Sequence, residues 1–229
     1  MNLKINNIHK YFTIWWTPLV TYFFIYGIFI LGCVLQRDWV IDLFLYLFFI
    51  NIFGTIISSI VQITIKKWYY IIFQIGITIL LFSHVSIIFM FSPPDYYGVH
   101  KEIPNNIEIY EPVNKTPIES DFDNYDLILS GWGGSYGYCT DFKPTKKGEF
   151  YIKAFEITSN DRLSEKRIKE SSKIKVDNID YKIRSGHFTI YEGSWGYKYA
   201  CRIELWFQPN NDKEFKVTER NYIVEGWMR

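Results

Sequence analysis

Apolar and polar positions divide the chain into two unlike parts. Three long apolar runs fill the N-terminal stretch: TPLVTYFFIYGIFILGCVL over 17–35, VIDLFLYLFFINIFGTIISSIVQITI over 40–65, and YYIIFQIGITILLFSHVSIIFMFS over 69–92. Each supplies about the ~20 apolar residues that a helix needs to cross a hydrocarbon core. Short polar breaks separate the runs, and Ser92-Pro93-Pro94 ends the third. Proline cannot continue a helix and disfavours helix in the residue before it.

From Asp126 the pattern changes to period-2 alternation, which predicts strands. The candidates are 126–130, 135–143, 149–158, 187–192, 197–207 and 214–225, divided by turn-like breaks such as Gly131–Gly134 and Pro209-Asn210-Asn211-Asp212. Ser164–Glu170 breaks the alternation and predicts a short helix, capped by Asn160 or Ser164. The expected fold is a membrane α-helical bundle of three transmembrane helices followed by a mainly-β soluble domain. That domain reads as an antiparallel β-sandwich with one short helix, and a small open barrel is the alternative. The expected parts are an N-terminal segment 1–16, a transmembrane domain 17–92, a proline-containing linker 93–120 with a first strand at 107–110, and the β domain 121–229.

Charge sharpens this division. Five of the 25 basic and two of the 24 acidic residues fall in 1–92, leaving 20 basic and 22 acidic residues in 93–229. A near-neutral β domain argues against nucleic acid as a partner, because that partner calls for a basic face. It also argues against an electrostatic grip on anionic lipid. Lys4, Lys10, Lys66 and Lys67 share one side of the spans, and Arg37 and Lys101 the other. Cytoplasmic flanks keep the positive charge, so the N-terminus is expected inside and the β domain outside, periplasmic or extracellular, with the protein multi-pass in the cytoplasmic membrane. Trp15, Trp16, Trp68, Tyr69 and Tyr70 suit the inner interface, and Trp39, Tyr96 and Tyr97 the outer. Ile30-Leu31-Gly32-Cys33 has the look of a lipidation box, but the run is long for a signal and two further spans follow.

Candidate chemistry is sparse. In the second run Asn51, Gly54, Thr55, Ser58 and Gln62 fall on one helical face. Such a face lets helices approach and hydrogen-bond in lipid, within the bundle, with a partner or with a second copy; a polar path is the alternative. His84 is an intramembrane ionisable group without a second histidine nearby. Gly131-Trp132-Gly133-Gly134-Ser135-Tyr136-Gly137-Tyr138-Cys139 resembles Gly193-Ser194-Trp195-Gly196-Tyr197-Lys198-Tyr199-Ala200-Cys201: each is a Gly/Trp turn feeding a tyrosine-rich strand with a cysteine. Trp132, Tyr136, Tyr138 and Trp195 are candidates to stack on a glycan or grip a peptide; core packing is the alternative. Cys139 and Cys201 are a candidate disulfide if their strands meet. The alternating carboxylates of 121–126 lack the Gly and distal Glu of a calcium loop. Asn114-Lys115-Thr116 matches a glycosylation sequon. No metal, cofactor or catalytic signature stands out, so neither a metal nor a cofactor is expected.

Leu163–Arg167, Phe188–Gly196, Glu204–Phe207 and Glu225–Arg229 together resemble uncharacterised bacterial membrane-anchored proteins, over the 137 residues of 93–229. The resemblance implies a bacterial envelope location and carries over no catalytic residue. The functional expectation is a membrane-anchored protein presenting an outward β domain for binding or assembly. Two alternatives stand beside it. One is a membrane-bound enzyme using His187, Asp141 or Glu192. The other is a small transport or channel subunit with a path along Asn51, Ser58, Gln62 and His84.

Overall fold

The structure is a computed structural model and describes residues 10–115, 122, 126–180 and 182–227. It falls into two compact units that divide between Pro94 and Asp95.

The first unit holds α1 (Thr17–Leu35), α2 (Asp38–Thr64) and α3 (Tyr69–Phe91), preceded by a helical turn at 10–13. All three helices are long and apolar enough to cross a membrane. Leu19, Tyr22 and Ile25 of α1 pack on Phe44 and Phe48 of α2 and Val85 of α3. The outer surface stays apolar: Phe23 is 80% and Met90 74% exposed. A water-soluble bundle would turn polar residues outward, so this surface matches a hydrocarbon solvent.

The second unit is the β domain. Strands β1 (Ile128–Trp132), β2 (Ser135–Thr140) and β6 (Arg184–Thr189) form one antiparallel sheet in the order β1-β2-β6. The other runs β4 (Arg162–Leu163), β3 (Gly148–Glu156), β7 (Tyr199–Pro209), β8 (Phe215–Val224), and β5 (Ile174–Val176) also pairs β3. Alternation sends Phe150, Ile152, Ala154, Cys201, Ile203, Leu205 and Phe207 to the shared core, where they meet Leu127, Leu129, Tyr136, Tyr138 and Phe188. The short helix α4 (Glu165–Ser171) lies between β4 and β5 and adds Ile168 to that core.

Two expectations change here. Ser164 does precede α4, but its side chain makes no cap bond; it sits at φ 40°, and its N–H and hydroxyl both donate to Glu192, at 2.7 and 2.6 Å. Of the residues expected as a linker, 95–115 are part of the β domain, and 116–120 lie outside the described residues. Tyr97 packs edge-on against Tyr199 at 5.5 Å, and Lys101 reaches the fully buried Glu156 carboxylate at 3.3 Å. Tyr110 and Val113 make parallel bridges to Tyr222 and Ser130, in place of a separate strand at 107–110. Pro104 and Pro112 bound this stretch, and Tyr110 packs against the β-domain core.

Candidate functional site

The glycine-tryptophan turns meet. Trp132 ends β1 and Trp195 lies in the turn before β7; their rings stand 5.4 Å apart, tilted by 44°. Trp227 joins them from beyond β8, and the three indoles border a cleft of about 490 Å³ with Gly131, Gly133 and Ser135. Trp132 is 65% exposed, Trp195 49% and Trp227 43%.

One carboxylate holds both turns. Glu225 accepts the Gly133 N–H at 2.8 Å through Oε1 and the Gly196 N–H at 2.7 Å through Oε2. The Glu225 residue is itself buried. Charge-assisted bonds of this kind are about twice as strong as neutral ones, so the two turns are fixed to each other through a single side chain. Below it, the Tyr136 hydroxyl accepts the Glu225 N–H at 2.9 Å and faces its carbonyl at 3.3 Å. The Trp227 N–H donates to Ile190 O at 2.8 Å, and the Ile190 N–H to Gly134 O at 2.9 Å. Backbones cross so closely here that a Cβ on Gly134 would sit 2.1 Å from Trp227 N, and one on Gly226 2.0 Å from Gly193 O. Gly134 also adopts φ 78°. Only glycine fits either position.

The four aromatic candidates therefore separate. Trp132 and Trp195 line the cleft. Tyr136 and Tyr138 do not: both are buried in the core, because alternation along β2 sends them inward, although Tyr136 also reaches the wall of a neighbouring hollow. Tyr138 donates its hydroxyl to Ser172 O, and burial pushes the Tyr136 phenol well above its ordinary range. Glu225 and Trp227 were missed as site residues. The signal was present in Glu225-Gly226-Trp227, a third Gly/Trp step just past the last strand.

A smaller hollow of about 210 Å³ adjoins the cleft across Gly131 and Trp132 and is lined by Glu111, Asn114 and Lys198. Lys198 and Glu111 pair at 3.5 Å, with both side chains more than half exposed. Asn114 and Lys115 of the sequon are described, and Thr116 lies outside the described residues, as does most of 121–126.

The disulfide expectation is overturned: Cys139 and Cys201 are both free. Cys201 lies in the core between the sheets, next to Ile203 in β7. Cys139 follows Tyr138, so it faces the opposite side of its sheet, against Phe122, Ile128 and Ile183. A sheet stands between the two thiols, and burial pushes both upward.

In the helical unit the small polar face of α2 receives the residues just before α1 and the first turn of α1 itself. Asn51 donates to Pro18 O at 2.9 Å, Ser58 to Phe12 O at 3.0 Å, and Gln62 to Thr13 O at 3.0 Å. Thr55 bonds back to Asn51 O at 2.9 Å, and Gly54 leaves room for the Tyr11 ring. Gln74 of α3 completes the cluster by donating to Trp15 O at 2.8 Å and Ser58 Oγ at 3.0 Å. His84 is exposed on the bundle surface, its ring 6.0 Å from Tyr26.

The enzyme candidates do not converge. His187 is exposed on β6 opposite Gly137, Asp141 follows β2, and Glu192 is occupied by Ser164. None of the three lines the tryptophan cleft or the hollow beside it. The chain matches no protein-family model, and no curated protein is similar to it.

Proposed function

We propose that this chain is a membrane-anchored binding protein. Three helices insert it in a cytoplasmic membrane of bacterial type, and the β domain presents the tryptophan cleft on the outer side. The observation that carries the reading is the set of three bare indoles held by buried machinery. Trp132, Trp195 and Trp227 stay exposed while Tyr136, Glu225 and the crossing glycines beneath them are packed and bonded. An aromatic concavity on a rigid base is what ligand recognition requires. Outward orientation is supported by the lysine and arginine distribution. The N-terminal segment docked on α2 uses the polar groups that a hydrated path would need, which favours anchoring over conduction.

The test has two arms. A reporter active only in the cytoplasm, fused after Arg229, should be silent in bacterial cells. The full chain in nanodiscs, screened against soluble oligosaccharides and proline-rich peptides, should bind at least one ligand that Trp132→Ala/Trp195→Ala no longer binds. An active reporter refutes the orientation, and a cleft that binds nothing refutes the function.

A further inference from the structure

We infer that the cleft takes a glycan, seating a hexopyranose ring on the indoles and its hydroxyls in the adjoining hollow. This rests on the binding reading above and names its ligand class. A pyranose ring has two chemically distinct parts, a face of C–H bonds and a rim of hydroxyls. The cleft and its neighbour together offer both kinds of surface. Three indoles border the larger space, and the electron-rich π-systems of such rings attract polarised C–H bonds. Across Gly131 and Trp132 the smaller hollow offers a carboxylate at Glu111, an ammonium at Lys198 and an amide at Asn114. Hydroxyls donate and accept, so a sugar rim uses all three.

An extended peptide fits less well. Peptides that add to a sheet need an open backbone edge. The segments around the cleft are already paired. The Val113 N–H donates to Leu129 O and the Gly131 N–H to Val113 O, while Ile190 bonds both Gly134 and Trp227. A polyproline helix needs no edge, but it carries no N–H to offer the Glu111 carboxylate. The near-neutral balance of 93–229 further favours an uncharged ligand.

The experiment uses the full chain in phosphatidylcholine nanodiscs, since sugar-headed detergents would compete. Maltohexaose, cellohexaose and chitohexaose are titrated and followed by indole fluorescence and saturation-transfer NMR; a decaproline peptide is the competing probe. At least one hexasaccharide should bind saturably. Trp132→Ala/Trp195→Ala should weaken it by about tenfold or more, and Lys198→Ala, on the hydroxyl side, should weaken it by a smaller factor. Amide protection of β3 and β7 should stay unchanged in all variants, which separates lost contact from lost fold. Hexasaccharide binding that ignores the tryptophan substitutions overturns the inference. Decaproline binding without sugar binding overturns the inference and leaves the binding reading standing. Silence from every probe overturns both.

Discussion

Replacing Glu225 by glutamine tests whether one carboxylate holds the cleft together. The substitution keeps the side-chain length and one carbonyl oxygen. The other end becomes an NH₂ group, which cannot accept from the glycine N–H it faces. One of the two bonds, 2.8 Å to Gly133 or 2.7 Å to Gly196, is therefore lost, and the other becomes a neutral bond. A hydrogen bond to a charged group contributes about 1.5–3 kcal/mol, so local opening of the turns should become easier by that amount. The corresponding rise in exchange is roughly 10- to 100-fold. Hydrogen exchange read by mass spectrometry, on the full chain in nanodiscs, follows peptides covering 131–135 and 193–197. Both should exchange faster, because the turns share the clamp, while β3 and β7 should keep their protection. Glu225→Ala, which removes both bonds, should exceed Glu225→Gln. If Glu225→Gln leaves both peptides within about threefold of the wild type, less than ~0.7 kcal/mol, the clamp is not what fixes the turns.

Further predictions concern other parts of the chain. Burial alone would raise the Glu156 carboxyl, but N–H and hydroxyl bonds from Ser159 and Thr158 outweigh it and hold the group down to about 2, below its ordinary 4.5. Its contribution is thus fully present above pH 4.5 and lost as pH falls from there through about 2. Acid titration of β-domain unfolding should lose up to about 3 kcal/mol over that window, and Glu156→Gln should flatten the fall. With no disulfide, thiol labelling of the denatured, unreduced chain should modify all three cysteines, whereas native Cys201 should resist; a pair that labels only after reduction refutes the placement of Cys139. Gln62→Leu and Gln74→Leu should each destabilise the helical unit by about 1 kcal/mol in steric-trapping or denaturation measurements, the usual scale of polar contacts in lipid. No loss in either variant would mean that the N-terminal segment is held by apolar packing alone.

The helices were legible because a bilayer imposes length and composition that no other environment asks for. Runs ending at Leu35, Ile65 and Ser92 became helices ending at Leu35, Thr64 and Phe91. The strands were legible where alternate residues are apolar and face the core, as in β3 and β7. The pairs β4 and β5 were not, since two or three residues are too few for a period to show. The face of α2 was visible in Asn51–Gln62, but its occupant was not: hydrogen bonds to Phe12 O, Thr13 O and Pro18 O are made to backbone, which any sequence supplies. For the same reason Glu225 went unseen. Its partners are the N–H groups of two glycines, 92 and 29 residues away. For Tyr136 and Tyr138 the sequence leaves both ligand contact and core packing open, because a tyrosine pattern looks alike on either face of a strand, and only the position of the opposing sheet decides which face is core.

Glu225, Gly226 and Trp227 also set an order of events on the ribosome. The first wall of the cleft, at Gly131 and Trp132, is translated 96 residues before Trp227. At roughly 5–20 residues per second, that wall waits on the order of 5–20 s for the carboxylate that anchors it. During this interval the turn at Gly133 lacks the carboxylate that fixes it. The cleft is therefore completed late, after the three helices and every strand of the β domain have been synthesised.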